Sequence, residues 1–237
     1  MVRSQNLGVM LPAADTPPPK FGRLARIYAA LEWLSFGRAL SHRRQCFLAD
    51  PRVTGARHAL VLGDGDGRFT AALFVRNPLI QITAVDASSE MLAQLERRVR
   101  AQTPSARLDR KCVDVRSWPV PHANYDLVVC HFFFDCFTTR ELASLIARVA
   151  PALAPNAHWL VSDFAVPRHT VWTPLAKALV RFLYFTFGLL TGLELTHLPD
   201  YQSALTCAQF ELSAEETALG GALRSELWQR VSGKCAR

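Results

Sequence analysis

The chain has 237 residues, half of them apolar, and 27 lysines and arginines against 20 acids give it a formal charge of +7. That length and apolar share suit one domain with a substantial core. Its six scattered cysteines lack CxxC spacing, which argues against a disulfide framework or a zinc site, and no paired histidine spacing offers a metal centre. Arg97, Arg98 and Arg100, like Arg43 and Arg44, read as solvated helix faces, and no basic tail or aromatic–basic interleaving accompanies them. A nucleic-acid partner is therefore not expected.

In chain order, residues 1–20 have no long apolar run and end in Thr16-Pro17-Pro18-Pro19-Lys20, a stiff polar linker. They read as a mobile tail rather than a signal peptide. From Phe21, Leu24, Ile27, Tyr28, Leu31, Leu34 and Phe36 fall near helical spacing, and a second short helix is expected through Phe47. Residues 21–56 thus form a helical leader, and residues 57–237 form the main domain.

That domain opens with Ala59-Leu60-Val61-Leu62, a short buried strand, and then Gly63-Asp64-Gly65-Asp66-Gly67. Glycines at the end of a strand let the backbone pass close to a ligand. A dinucleotide loop wants a further glycine to pack helix on strand, and Thr70 stands there instead. The loop suits an uncharged amino-acid tail better than a pyrophosphate, which favours S-adenosylmethionine. The second strand, Leu79 to Val85, ends in Asp86, an acid placed to accept both hydroxyls of a ribose. Ser88 or Ser89 caps a helix to about Arg100. The third strand, Ala106 to Cys112, leads to Asp114, whose carboxylate can bond an adenine amine while the next backbone N–H meets a ring nitrogen. Strands four and five are Tyr125 to His131 and Trp159 to Phe164. Cys112 and Cys130 read as core residues of these strands.

The order of these elements resembles the class I S-adenosylmethionine-dependent methyltransferases, over about residues 57–228. The resemblance implies a Rossmann-like α/β fold: a seven-stranded, mostly parallel sheet with a C-terminal antiparallel hairpin and helices on both faces. It implies that Gly63, Gly65 and Gly67 hold the methionine part of the cofactor, Asp86 with Ala87 the ribose, and Asp114 with Val115 the adenine. The family usually carries an acid two residues before the first glycine, where this chain has Val61. Asp64 or Asp66 is then left to supply negative charge near the ligand's ammonium.

The end of strand four, His131-Phe132-Phe133-Phe134-Asp135, supplies the candidate chemistry. His131 can bond the acceptor or cofactor or take a proton, Asp135 can do either or orient His131, and the run Phe132 to Phe134, with Phe134 as the substrate contact, can wall the cofactor's sulfonium or an apolar acceptor. The competing reading puts the phenylalanines in the core and makes Asp135 the cap of a helix beginning near Thr138. Asp163 and His197 are weaker candidates.

After strand five, residues 165–198 read as an apolar lid insertion. Lys177 and Arg181 interrupt it, and its longest uncharged run is short of the about 20 residues that a membrane span needs. It reads either as an ordinary lid helix or as the wall of a greasy pocket for a lipid or quinone-like acceptor, with Trp172, Phe185 and the leader's Tyr28 as contacts and peripheral membrane contact as a corollary. A cytoplasmic location is expected. Pro199-Asp200 opens a helix through Ala208, and two strands joined across Gly220-Gly221 close the chain as a hairpin. The readings set against methyl transfer are an NAD-type oxidoreductase and a non-catalytic S-adenosylmethionine-binding protein.

Overall fold

Strands β1 (His58–Leu62) and β4 (Tyr125–His131) are near-continuous apolar runs, as strands buried on both faces must be, and they lie at the centre of the sheet. The computed structural model describes residues 37–165 and 198–231. Its seven strands run in the order β3-β2-β1-β4-β5-β7-β6. Strands β2 (Gln81–Asp86) and β3 (Arg107–Cys112) extend the sheet on one side of β1, and β5 (Leu153–Phe164) lies beyond β4, all in parallel. Strand β7 (Leu223–Arg230) runs antiparallel between β5 and β6 (Phe210–Ala218). The expected terminal hairpin is thus present. Its turn places Leu219, Gly220 and Gly221 at positive φ, a conformation that glycine takes freely.

Helices cover both faces. On one side lie α1 (Gly37–Gln45), α2 (Pro51–Thr54), α3 (Arg68–Arg76) and α4 (Ser89–Gln102). The core on that side includes Phe47, Val61, Phe69, Leu95 and Val129. On the other side lie α5 (Thr139–Val149) and α6 (Tyr201–Cys207), over Leu60, Val128, Phe134, Trp159 and Trp228. Local signals fix the helix starts. Ser88 accepts the Met91 N–H at 3.2 Å, and Asp200 accepts the Ser203 N–H at 3.0 Å.

Four expectations are corrected. Thr138, not Asp135, caps α5: its hydroxyl accepts the Glu141 N–H, and Glu141 accepts the Thr138 N–H, a reciprocal pair. Cys112 is exposed, because β3 is an edge strand whose side chains are largely solvated. Arg43 is only 5 % exposed, since α1 lies on the sheet; its carbonyl accepts from Ser162 and Ser225, and its guanidinium meets Glu216 at 3.2 Å. Strand β5 begins at Leu153, six residues earlier than the periodicity suggested, after a 3-10 turn at Ala150–Ala152. Among the described residues no helix is long and apolar enough to cross a membrane, and no cluster of His, Cys, Asp and Glu is arranged to hold a metal ion.

Candidate active site

The chain leaves β1 in one direction to build β2 and β3, then returns to β4 on the other side, so the strand order reverses between β1 and β4. Ligands of open α/β sheets bind beyond the carboxyl ends of the strands at such a point. Leu62 pairs with Val85 on one side and Cys130 on the other, and the Gly63 N–H donates to the Val85 carbonyl at 2.9 Å. Asp86 pairs with Cys112, and the Val113 N–H donates to the Asp86 carbonyl at 3.0 Å. Gly63, Asp86 and His131 therefore stand in one row along the carboxyl edge, on strands about 4.8 Å apart. Asp114 follows two residues beyond Cys112, at the flank of this row.

All three loop glycines have positive φ, and their surroundings differ. A Cβ on Gly63 would sit 2.2 Å from the Phe133 ring, and one on Gly67 would sit 2.7 Å from the Leu95 Cα. Gly67 thus brings α3 against α4, the packing role that a dinucleotide loop gives to a later glycine. A Cβ on Gly65 would meet nothing within 4 Å. Gly65 alone of the three opens onto free space.

The two loop acids also part company. Asp66 is engaged by Arg68 at 2.9 Å and Arg98 at 2.8 Å. Asp64 is buried, and its Oδ2 accepts from the Thr70 N–H at 2.9 Å and the Thr70 hydroxyl at 2.7 Å. Its Oδ1 is buried without a hydrogen-bond partner. Burial pushes the Asp64 carboxyl above the usual range, against the Thr70 bonds and the attraction of Arg44. Asp86 accepts the Ser88 N–H at 2.8 Å, and burial pushes its carboxyl up to about 6, with the nearby Asp64 adding to the effect. Asp64 and Asp86 thus influence each other across the loop. Val61 lies in the core, so the position where the family usually has an acid contributes only packing.

Asp114 is exposed; its Oδ1 accepts the Arg116 N–H at 2.8 Å. Ala87 is exposed beside Asp86, whereas Val115 is buried with its carbonyl held by Arg148 at 2.9 Å.

On the β4 side, His131 is 3 % exposed, edge-on to Phe69 with ring centroids 4.6 Å apart, and neither ring nitrogen has a partner. Burial, helped by Arg44, lowers its pKa to about 3, so the ring is neutral at physiological pH. The structure does not join His131 to Asp135 by a hydrogen bond. Phe132 follows with φ 51, a conformation rare outside glycine, with Phe164 at 5.3 Å and the Arg44 guanidinium 5.1 Å from its ring centre. Phe134 is fully buried against Trp159 and Tyr201, so the structure seats it in the core and not on a cleft wall. Asp135 lies in the 3-10 turn Phe134–Cys136 and is half-buried. Tyr28, Trp172, Phe185 and His197 lie outside the described residues. No site role for Arg44 is legible in the sequence, nor is the backbone conformation of Phe132. Arg44 follows the buried Arg43 in a basic pair with no local mark of its target, and nothing in a run of phenylalanines announces a positive φ.

The sheet order and the covering helices are the Rossmann-like fold of the S-adenosylmethionine-dependent methyltransferases. A family model described as a methyltransferase domain matches residues 59–156. Over 146 residues the chain is 32 % identical to a malonyl-[acyl-carrier protein] O-methyltransferase of Alcanivorax borkumensis, a match that covers 60 % of this chain and 45 % of that protein. The chain thus spans less than half the length of that relative. Similar solved structures include the mitomycin 7-O-methyltransferase MmcR, with TM-score 0.64 and 16 % identity over 92 % of this chain and 62 % of that one. Another is the N-methyltransferase NodS from Bradyrhizobium japonicum in complex with S-adenosyl-L-homocysteine, with TM-score 0.58 and 12 % identity over 84 % of this chain and 89 % of that one. At these identities the structural likeness speaks for the fold.

Proposed function

We propose that the protein transfers a methyl group from S-adenosylmethionine to a small lipophilic acceptor of lipid or quinone-like character. The observation that carries the cofactor assignment is the contrast within the glycine loop. Gly65 faces open space, the Asp64 Oδ1 beside it is buried and unpartnered, and Asp86 stands one strand away. In this reading Gly63, Gly65 and Gly67 shape the backbone around the methionine part. Asp64 receives its ammonium, the duty left open by Val61 and closed to Asp66 by two arginines. Asp86 with Ala87 holds the ribose, and Asp114 with Val115 holds the adenine.

When bound, the cofactor supplies a methyl group already activated on a sulfonium. The chain's task is therefore to place the acceptor in line and keep water away. Asp135, at the end of β4, takes a proton from an acceptor that must lose one. His131, neutral and without a partner, offers a ring nitrogen to the bound ligands. Phe132 and Phe164 give the β4–β5 end of the cleft apolar surface, and the apolar sequence of residues 171–195 supports a greasy acceptor and, with it, contact with a membrane surface.

The test is incubation of the protein with methyl-labelled cofactor and a lipid and quinone extract, followed by identification of the labelled product. Label in an apolar small molecule, lost in Asp135→Asn, is the expected result. Cofactor binding with no label transferred to any fraction would instead indicate a binding protein without activity.

A further inference from the structure

We infer that Arg116 is a positioning residue of the cofactor site: its guanidinium fixes Asp114 and joins it to the turn that carries Asp135, so that the adenine end and the acceptor end of the cleft are held as one unit. The inference rests on the reading above that Asp114 meets the adenine amine.

The two ends need such a link. Strands β3 and β4 are separated in the sheet by β2 and β1, so at about 4.8 Å per strand their carboxyl ends lie about 14 Å apart. The connection between them, residues 113–124, crosses one face of the sheet and buries Val115 and Trp118 in the core that also holds Phe134, Phe137 and Leu142. Arg116, between these two anchors in the sequence, stays at the surface beside the turn that follows β4.

Each nitrogen of its guanidinium goes to a different element. Nη2 donates at 2.9 Å to the carbonyl of Cys136, the last residue of the 3-10 turn Phe134–Cys136. Nε donates at 3.1 Å to the carboxylate of Glu141, in the first turn of α5. Nη1 lies 3.6 Å from Asp114 Oδ1, which also accepts the Arg116 backbone N–H at 2.8 Å. The guanidinium carbon stands 4.5 Å from the centre of the Phe137 ring. From α5, Arg148 donates to the Val115 carbonyl at 2.9 Å and to the Arg116 carbonyl. The adenine segment is thus stapled both to α5 and to the 3-10 turn.

The groups that the adenine reading requires stay open. No described residue donates a hydrogen bond to Asp114 Oδ2 or accepts one from the Val115 N–H. Asp114 Oδ1 is held on the protein side, and Oδ2 is left for the amine. Exposed ion pairs add little stability one at a time. A planar fork with three fixed ends sets direction instead. Lysine offers one compact ammonium and cannot span the same three partners. Arg116 touches neither adenine nor acceptor in this scheme; it acts through Asp114 and the turn.

The test is calorimetric titration of wild type, Arg116→Met and Arg116→Lys with S-adenosylhomocysteine and with S-inosylhomocysteine, which carries a carbonyl in place of the adenine amine. The wild type is expected to prefer the adenine compound by about tenfold or more. Both variants are expected to lose most of that preference while binding S-inosylhomocysteine within about twofold of wild type. Hydrogen exchange supplies a second readout. S-adenosylhomocysteine should add protection in the wild type to the Cys136 and Phe137 amides, which donate to the Phe133 and Phe134 carbonyls, and should add none in Arg116→Met. A merely structural role would weaken both compounds equally and loosen the turn with and without ligand. That pattern, full preference in Arg116→Met or full rescue by Arg116→Lys would overturn the inference and leave the methyl-transfer reading standing. No preference in the wild type would refute the adenine role of Asp114 and the inference with it, and no binding of either compound would refute the cofactor assignment itself.

Discussion

The two halves of the carboxyl edge are built differently. The β1–β2 half is a backbone device: three left-handed glycines, a buried acid capping a helix, and a second acid at a strand tip. The β4–β5 half is a side-chain device: a buried neutral histidine, aromatic rings, and the acids Asp135 and Asp163. Binding one constant cofactor needs a fixed backbone shape, whereas an acceptor site needs groups whose charge and proton content can be tuned. Substitutions should therefore divide into those that break shape and those that change titration.

The largest effect is expected at Gly67. An alanine Cβ there meets the Leu95 backbone in a left-handed conformation, and overpacking with φ strain should cost about 3 kcal/mol. Denaturant unfolding of Gly67→Ala reads this directly. Gly65→Ala has open space around it and should lose only about 1 kcal/mol from φ strain while losing cofactor affinity at least as much as Gly67→Ala. Equal stability losses at the two positions would erase the distinction between packing glycine and ligand-facing glycine.

On the acceptor side, Asp135→Asn should lower kcat by about a hundredfold or more while cofactor binding stays intact, as loss of a general base does. Calorimetry beside turnover separates the two readouts.

The pH dependence comes next, and the halves carry opposite signs. Asp86 has a folded pKa raised to about 6, so the stability it contributes is full below its unfolded value and is lost as pH rises through about 6. Asp86→Asn should therefore gain stability relative to wild type as pH rises through that window. His131 has a folded pKa lowered to about 3, so its contribution is full above its unfolded value, near 6.5, and is lost as pH falls toward 3. His131→Leu should flatten the acid side of the stability curve. The smallest effect is expected for Arg44→Met, which removes the contact with the Phe132 ring and should cost about 0.5–1 kcal/mol.

Much of the first half was legible in the sequence because its signals are local. The glycine spacing, Asp86 at a strand tip and the Gly220-Gly221 turn each state a backbone requirement within a few residues. The second half was less legible because tertiary placement decides it. Phe134 reads like its two neighbours, yet Phe132 takes a positive φ and the chain then turns Phe134 into the core. Arg43 looks solvated until α1 lies across β5 and β7. Cys112 looks internal until the strand order makes β3 an edge.

The central claim is that the ends of β1, β2 and β3 form one pocket for S-adenosylmethionine. Calorimetric titration of that cofactor into the wild type, Gly65→Ala and Asp86→Asn tests it most directly. The account predicts one site per chain in the wild type, weakened at least tenfold in each variant. An absence of binding in the wild type, or wild-type affinity in both variants, would contradict it.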